Sequence, residues 1–187
     1  YGTSKLMVEQ MLRDVAAATS LRPAVLRYFN VAGADPKGRT GQMTPRATHL
    51  IKAACEAAVG RRPALDIYGE DYPTPDGTCV RDYIHVTDLA EAHLLALAHL
   101  EAGGKPVTLN CGYGRGASVR EVVAAVERAA GKPLPVRKAP RRPGDPPRIV
   151  SNPGRLMSLF GWTPRHDDLD EIVASALAWE RRLAGQA

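Results

Sequence analysis

The chain has 187 residues, 44% hydrophobic and 24% charged, which excludes an intrinsically disordered chain and suits one domain or a generous half of a two-domain enzyme. Lys and Arg number 25 against 20 Asp and Glu, a net charge of +5. The charges are dispersed, with the densest basic run at residues 137–142, and no basic–aromatic interleaving marks a nucleic-acid binder.

No apolar run reaches the roughly 18 residues of a membrane span, so no membrane partner is expected. The three cysteines, Cys55, Cys79 and Cys111, form neither a Cys-x-x-Cys motif nor a disulfide framework, and a reducing, cytoplasmic compartment is the expected setting. The five histidines lack metal-ligand spacing, so no metal site is expected.

The chain opens Tyr1-Gly2-Thr3-Ser4-Lys5, without an initiating Met or a signal-peptide core, which reads as a piece of something longer. Residues 4–18 form an amphipathic helix pattern with Leu6, Met7, Met11, Leu12 and Val15 on one face. Residues 24–29 are almost continuously apolar, as in a parallel strand covered on both sides. A Gly/Pro-rich loop at 31–45 precedes a helix from about Arg46 to Val59, stopped by Gly60.

A short strand is expected at 65–68 and a surface loop at 69–78, where Pro, Gly and acids cluster. The strand at 83–86 feeds a helix over 89–100 capped by Thr87 or Asp88. After a strand at 107–110, Ser118 and Glu121 make a capping box for a helix that Gly131 closes. A strand at 134–137 follows. Asn152 is the expected cap, with Pro153 at the first helical position, of a short helix to Phe160, and the last helix runs 167–183. Alternating strands and helices make this an α/β chain.

Four clusters carry chemistry. Tyr1 and Lys5, four apart on a helix, share a face, and an ammonium beside a phenol favours phenolate, a general base for a hydroxyl proton. In Arg27-Tyr28-Phe29-Asn30 a strand ends on an Asn, and doubly wound sheets bind ligands beyond the carboxyl ends of strands. Arg81, in the run 76–88, precedes a strand that feeds a capped helix, and Arg suits bidentate phosphate contact. Residues 140–145, Pro-Arg-Arg-Pro-Gly-Asp, hold two Arg and an Asp on a stiff turn.

Taken in this order, the four clusters resemble the extended short-chain dehydrogenase/reductase family. The segments Ala58-Val59-Gly60-Arg61-Arg62-Pro63 and Asp71-Tyr72-Pro73-Thr74 point to its UDP-hexose 4-epimerase branch rather than to the dehydratases. The resemblance implies a Rossmann-like NAD(P)-binding fold with a small α/β substrate domain. Residues 1–45 would be a remnant of the dinucleotide domain, and 46–187 mainly the nucleotide-sugar domain with segments returning to the sheet.

It further implies NAD-dependent interconversion of UDP-glucose and UDP-galactose through a 4-keto sugar. Tyr1 would be the base, Lys5 would support it and hold the nicotinamide ribose, and Tyr28 would lie beside the nicotinamide. Asn30, His49, Leu50, Asp66, Ile67, Tyr68, Arg81, Tyr83, Val119, Arg142 and Asp145 would contact the UDP-sugar, with Ile149 tuning the sugar pocket. A UDP-N-acetylhexosamine or UDP-pentose epimerase, and a non-catalytic UDP-sugar-binding module, are the alternatives.

The full-length parent would be a homodimer built on the 4–18 helix. No Gly-x-x-Gly-x-x-Gly follows a strand, so the chain reads as the carboxyl-terminal portion, inactive alone. The 24–29 strand is then expected to lose its sheet neighbours and expose an apolar edge.

Overall fold

The computed structural model describes residues 1–45 and 47–185. It is α/β as expected. The elements in chain order are α1 (Gly2–Ala18), β1 (Ala24–Tyr28), β2 (Asn30–Ala32), α2 (Leu50–Ala58), β3 (Leu65–Tyr68), β4 (Val80–Arg81) and β5 (Tyr83–His85), then α3 (Val86–Glu101), β6 (Val107–Cys111), β7 (Ala117–Ser118), α4 (Val119–Ala130), β8 (Val136–Ala139), β9 (Arg148–Ile149), α5 (Gly154–Phe160) and α6 (Leu169–Leu183). Three parallel pairs, β1–β6, β2–β5 and β3–β8, are joined by a small sheet in the order β7-β4-β9. The predicted start of the second helix, Arg46, lies outside the described residues.

The 24–29 strand keeps a neighbour, contrary to expectation. Ala24 faces Val107 and the register runs on to Tyr28 opposite Cys111. The chain then changes partner within one residue: the Phe29 N–H donates to the Cys111 carbonyl (3.3 Å) and the Asn30 N–H to the Asp82 carbonyl (3.2 Å). That switch sets Asn30 opposite Tyr83. β1 is only half-buried, with Arg27 and Tyr28 exposed.

Two cores lie on either side of this seam. In one, Cys55, Val122, Val126, Ile172, Val173 and Leu177 interlock α2, α4 and α6. In the other, Ile84, Leu109, Leu156 and Trp162 join β5, β6 and α5. α1 takes part in neither: Leu6, Met7, Met11 and Val15 are exposed. Its buried residue is Glu9, held by Arg27 through Nε (2.6 Å) and Nη2 (2.5 Å). That bidentate contact holds the Glu9 carboxyl below its ordinary pKa against the opposing effect of burial.

Several boundaries moved for physical reasons. The cap of α3 is His85, whose Nδ1 accepts from the Thr87 N–H (3.1 Å), because Asp88 is drawn inward by the Tyr113 hydroxyl (2.7 Å) and the His166 N–H (3.0 Å). β8 begins at Val136 because Leu134 is buried in the helical core with its N–H on Glu127, and the register is set by Leu65 opposite Val136. Pro153 is the cap residue of α5 rather than its first helical residue; Asn152 still accepts from the Gly154 N–H (3.2 Å).

The 69–78 loop is not a solvated excursion, since Tyr72 and Thr78 are buried. Asp76 accepts from Thr78 and from the Ser118 hydroxyl (2.5 Å), pinning the loop to the capping box of α4. Gly77 has φ +78, and a Cβ there would lie 2.1 Å from the Glu70 carbonyl, so the loop requires glycine.

His85 makes folding pH-dependent. It is buried, with Nε2 3.2 Å from the Ser175 hydroxyl, and a Cβ on Gly33 would meet its ring at 2.4 Å. Burial lowers its pKa from 6.5, and the His166 ring, 4.7 Å away, adds to the effect, while Asp88 and Glu171 oppose it. The unfolded chain therefore takes up this proton at a higher pH than the folded chain. The unfolded state binds more protons in that window, so stability is complete above pH 6.5 and declines as pH falls below it. Urea midpoints measured from pH 7.5 down to 5.5 are expected to fall, and His85→Gln to flatten that part of the slope.

Candidate functional site

One cavity of about 790 Å³ gathers most of the predicted residues. Asn30 enters from β2, His49 and Leu50 from the start of α2, and Asp66 and Tyr68 from β3. Arg81 comes from β4, Tyr83 from β5, Val119 from the first turn of α4, and Arg142 and Asp145 from the 140–145 turn.

Strand alternation explains how one sequence motif serves both cavity and scaffold. In Arg81-Asp82-Tyr83, the first and third residues line the cavity. The middle side chain points the other way, fully buried. Asp82 accepts from the backbone N–H groups of Tyr113, Gly114 and Ser151 (3.0 Å each) and from the Ser151 hydroxyl (2.7 Å). It thereby ties the two loops behind the site to the strand. β3 alternates likewise: Asp66 and Tyr68 face the cavity and Ile67 is buried, so Ile67 supports the wall from behind.

The cavity is cationic, with Lys52, Arg61, Arg62, Arg81 and Arg142 against Glu56, Asp66 and Asp145. Lys52 is buried and bonded to Glu180 (2.5 Å) and Glu56 (3.3 Å); Arg61 also holds Glu180 (2.9 Å) and Arg62 holds Glu56 (3.0 Å). This network straps α6 and the 60–63 turn to α2, whose first residue Leu50 is itself in the wall. Arg81 pairs with Asp145, and the Arg142 guanidinium stacks 3.7 Å from the Tyr68 ring centroid. Burial raises the Tyr83 hydroxyl pKa, so it is a neutral hydrogen-bonding group.

Sequence reasoning missed Lys52 and its strap. Its one signal was a charged residue in the otherwise apolar stretch Leu50-Ile51-Lys52-Ala53-Ala54-Cys55. The basic run 137–142 proves to be largely neutralised: Arg137 pairs with Asp66 (3.1 Å), Lys138 with Glu70 (2.8 Å) and Arg141 with Asp71 (2.7 Å).

Five predicted residues lie outside the cavity lining. Ile67 is one. Ile149 is partly exposed on β9, in register with Arg81. Tyr28 is exposed at the end of β1, its ring 6.3 Å from that of His93. Tyr1 is 96% exposed at the head of α1, with the Lys5 Nζ 5.2 Å from its ring centroid. A solvent-facing hydroxyl with an ammonium one turn away is a donor set suited to the hydroxyls of a nicotinamide ribose. Among the described residues no cluster of His, Cys, Asp or Glu is arranged to hold a metal ion, and no helix is long and apolar enough to cross a membrane.

Cys79 lines the cavity, yet all three thiols are buried. Burial pushes Cys55 up to about 12 and Cys111 up to about 11. A buried thiol whose ionisation is suppressed, as at Cys55 and Cys111, is a poor nucleophile, and Cys79 is shielded by burial alone. The native chain is expected to release almost no thionitrobenzoate from Ellman's reagent within minutes, against three equivalents in guanidinium.

The model of the NAD dependent epimerase/dehydratase family matches residues 1–112. A UDP-glucose 4-epimerase of Azospirillum brasilense is 64% identical over the whole chain, which covers 55% of that relative. The crystal structure of UDP-glucose 4-epimerase from Brucella ovis in complex with NAD aligns with TM-score 0.91 at 48% identity, over 95% of this chain and 55% of that one. That from Stenotrophomonas maltophila, with bound NAD and formylated UDP-arabinopyranose, aligns with TM-score 0.93 at 40% identity, over 100% and 56%. The chain thus spans about half the length of the curated relatives it matches. With three-fifths of its length matched by the family model and its fold shared with these structures, the chain belongs to the NAD dependent epimerase/dehydratase family.

Proposed function

We propose that this chain is the UDP-sugar-binding and proton-transferring portion of a UDP-glucose 4-epimerase, an isomerase that inverts C4 of the sugar. The observation that carries this reading is the convergence of Asn30, Tyr68, Arg81, Tyr83, Arg142 and Asp145 on one cationic cavity large enough for a nucleotide sugar.

In this reading Arg81 and Arg142 bind the diphosphate, Asp66 and Tyr68 flank the base, and Asp145 and Tyr83 hold the ribose or a phosphate. Tyr1 takes the proton of the 4-hydroxyl and returns it, with the Lys5 ammonium one turn along the same helix face, 5.2 Å from its ring centroid. The hydride chemistry at C4 would be supplied by bound NAD. Tyr1, Lys5 and Tyr28 fit its nicotinamide end, and the chain carries no glycine fingerprint for its pyrophosphate. Ile149, beside Arg81, would shape the sugar pocket.

The division into a dinucleotide-side layer (residues 1–45, with β5 and β6 returning to it) and a nucleotide-sugar side is part of this proposal, supported by the β1–β6 and β2–β5 pairings. The exposed apolar stripe of α1 supports pairing of the whole protein into a homodimer. The buried, unpaired thiols suit a reducing, cytoplasmic setting.

The test is separate titration of UDP and NAD into the 187-residue chain, with an assay for UDP-galactose to UDP-glucose conversion. UDP is expected to bind with salt-sensitive affinity, and conversion to be undetectable. Failure to bind UDP overturns the reading, and conversion by the verified chain overturns the assignment of catalysis to a larger protein.

A further inference from the structure

We infer that Arg142 is a guanidinium held in reserve on the Tyr68 ring, and that a nucleoside diphosphate binds by exchanging it: the phosphates take Arg142, and the base takes the ring face that Arg142 leaves. The inference rests on the UDP-sugar reading above and adds an order to that site.

The cavity holds four arginines, and three are committed to carboxylates. Arg61 is paired with Glu180, Arg62 with Glu56 and Arg81 with Asp145. Arg142 makes no ion pair among the described residues. The next residue back, Arg141, does bond to Asp71 (2.7 Å) while lying over Tyr72, so the turn itself does not prevent pairing. Arg142 instead lies 3.7 Å from the centroid of Tyr68, close enough to cover one face of a ring that lines the cavity.

A guanidinium on an aromatic face is held weakly where solvent reaches it, and its N–H donors lack anionic acceptors. A diphosphate offers charge-assisted, bidentate bonds, which are stronger. Removing the guanidinium uncovers an aromatic face inside a cationic cavity, which is what a nucleobase stacks on. Asp145, whose N–H donates to the Arg142 carbonyl (3.3 Å), fixes the backbone, so the exchange requires motion of the side chain alone.

The two halves of the ligand therefore compete with the stacked pair in opposite ways, and single-site variants separate them. In Tyr68→Leu, inorganic pyrophosphate no longer detaches Arg142 from a ring and is expected to bind about two- to fivefold tighter, while UDP, deprived of stacking, binds about tenfold weaker. In Arg142→Gln, uridine no longer displaces a cation and is expected to bind about two- to fivefold tighter, while UDP again weakens. The measurement is calorimetric titration of the three probes into the 187-residue chain and both variants, with circular dichroism to establish folding.

Pyrophosphate unchanged or weakened in Tyr68→Leu overturns the exchange. Should that variant not fold, uridine unchanged or weakened in Arg142→Gln overturns it equally. If the unsubstituted chain binds none of the probes, the function reading falls, and the exchange with it. If it binds them and the variants respond without the predicted gains, the exchange falls alone.

Discussion

Replacing Asp82 by Ala is expected to destabilise the chain by on the order of 5 kcal/mol, enough to remove most of the ~5–15 kcal/mol of a typical domain. The residue is fully buried, and its carboxylate accepts four hydrogen bonds, three from backbone N–H groups and one from Ser151. Alanine leaves the Tyr113 and Ser151 N–H groups and the Ser151 hydroxyl without this acceptor, while the Gly114 N–H keeps Ser151 Oγ (3.1 Å), and an unsatisfied buried donor costs about 1–3 kcal/mol. Asp82→Asn keeps the shape but turns an N–H toward other N–H groups, so an intermediate loss of about 2–3 kcal/mol is expected. Urea unfolding followed by tryptophan fluorescence reads both, and a loss under about 1 kcal/mol for Asp82→Ala contradicts the account. Arg81 and Tyr83 flank this anchor, so ligand affinity is expected to fall in any Asp82 variant that still folds.

Asp82 also shows what was legible beforehand. The motif around it reads as functional from its residue types, but which members face a ligand depends on the phase of the strand. Period-two alternation, fixed by the pairing of Asn30 with Tyr83, decides that Arg81 and Tyr83 face the cavity and that Asp82 anchors loops. Elements with strong local signals, such as the capping box at Ser118 and Glu121 and the left-handed Gly131, stand where expected. The two-residue strands β4, β7 and β9 carry no period at all and arise from tertiary pairing. The helix cap at His85 was missed because Asp88, the better capping residue by type, is taken by Tyr113 and the 165–166 backbone. The strap of Lys52, Glu180 and Arg61 was beyond reach for a similar reason: its members are 128 and 119 residues apart in sequence.

Arg81→Gln is expected to weaken UDP binding about 100-fold, the effect of removing a mostly buried cation that makes charge-assisted bonds to a diphosphate. Two contributions act together. The phosphate loses a bidentate donor, and Asp145, whose carboxylate Arg81 now neutralises, is left as an uncompensated anion facing the same ligand. Arg61→Gln is the contrasting case in the same cavity. Arg61 is spent on Glu180 and is more exposed, so its loss is expected to change UDP affinity less than about threefold while lowering the urea midpoint. The double variant Arg81→Gln/Asp145→Asn separates the two contributions. If repulsion by Asp145 is a real part of the loss, the double variant binds UDP more tightly than Arg81→Gln alone, and affinity at low salt recovers more than at high salt. Equal losses for Arg81→Gln and Arg61→Gln contradict this division, because they would mean that the cavity attracts the diphosphate by its summed charge rather than through the arginine that faces it.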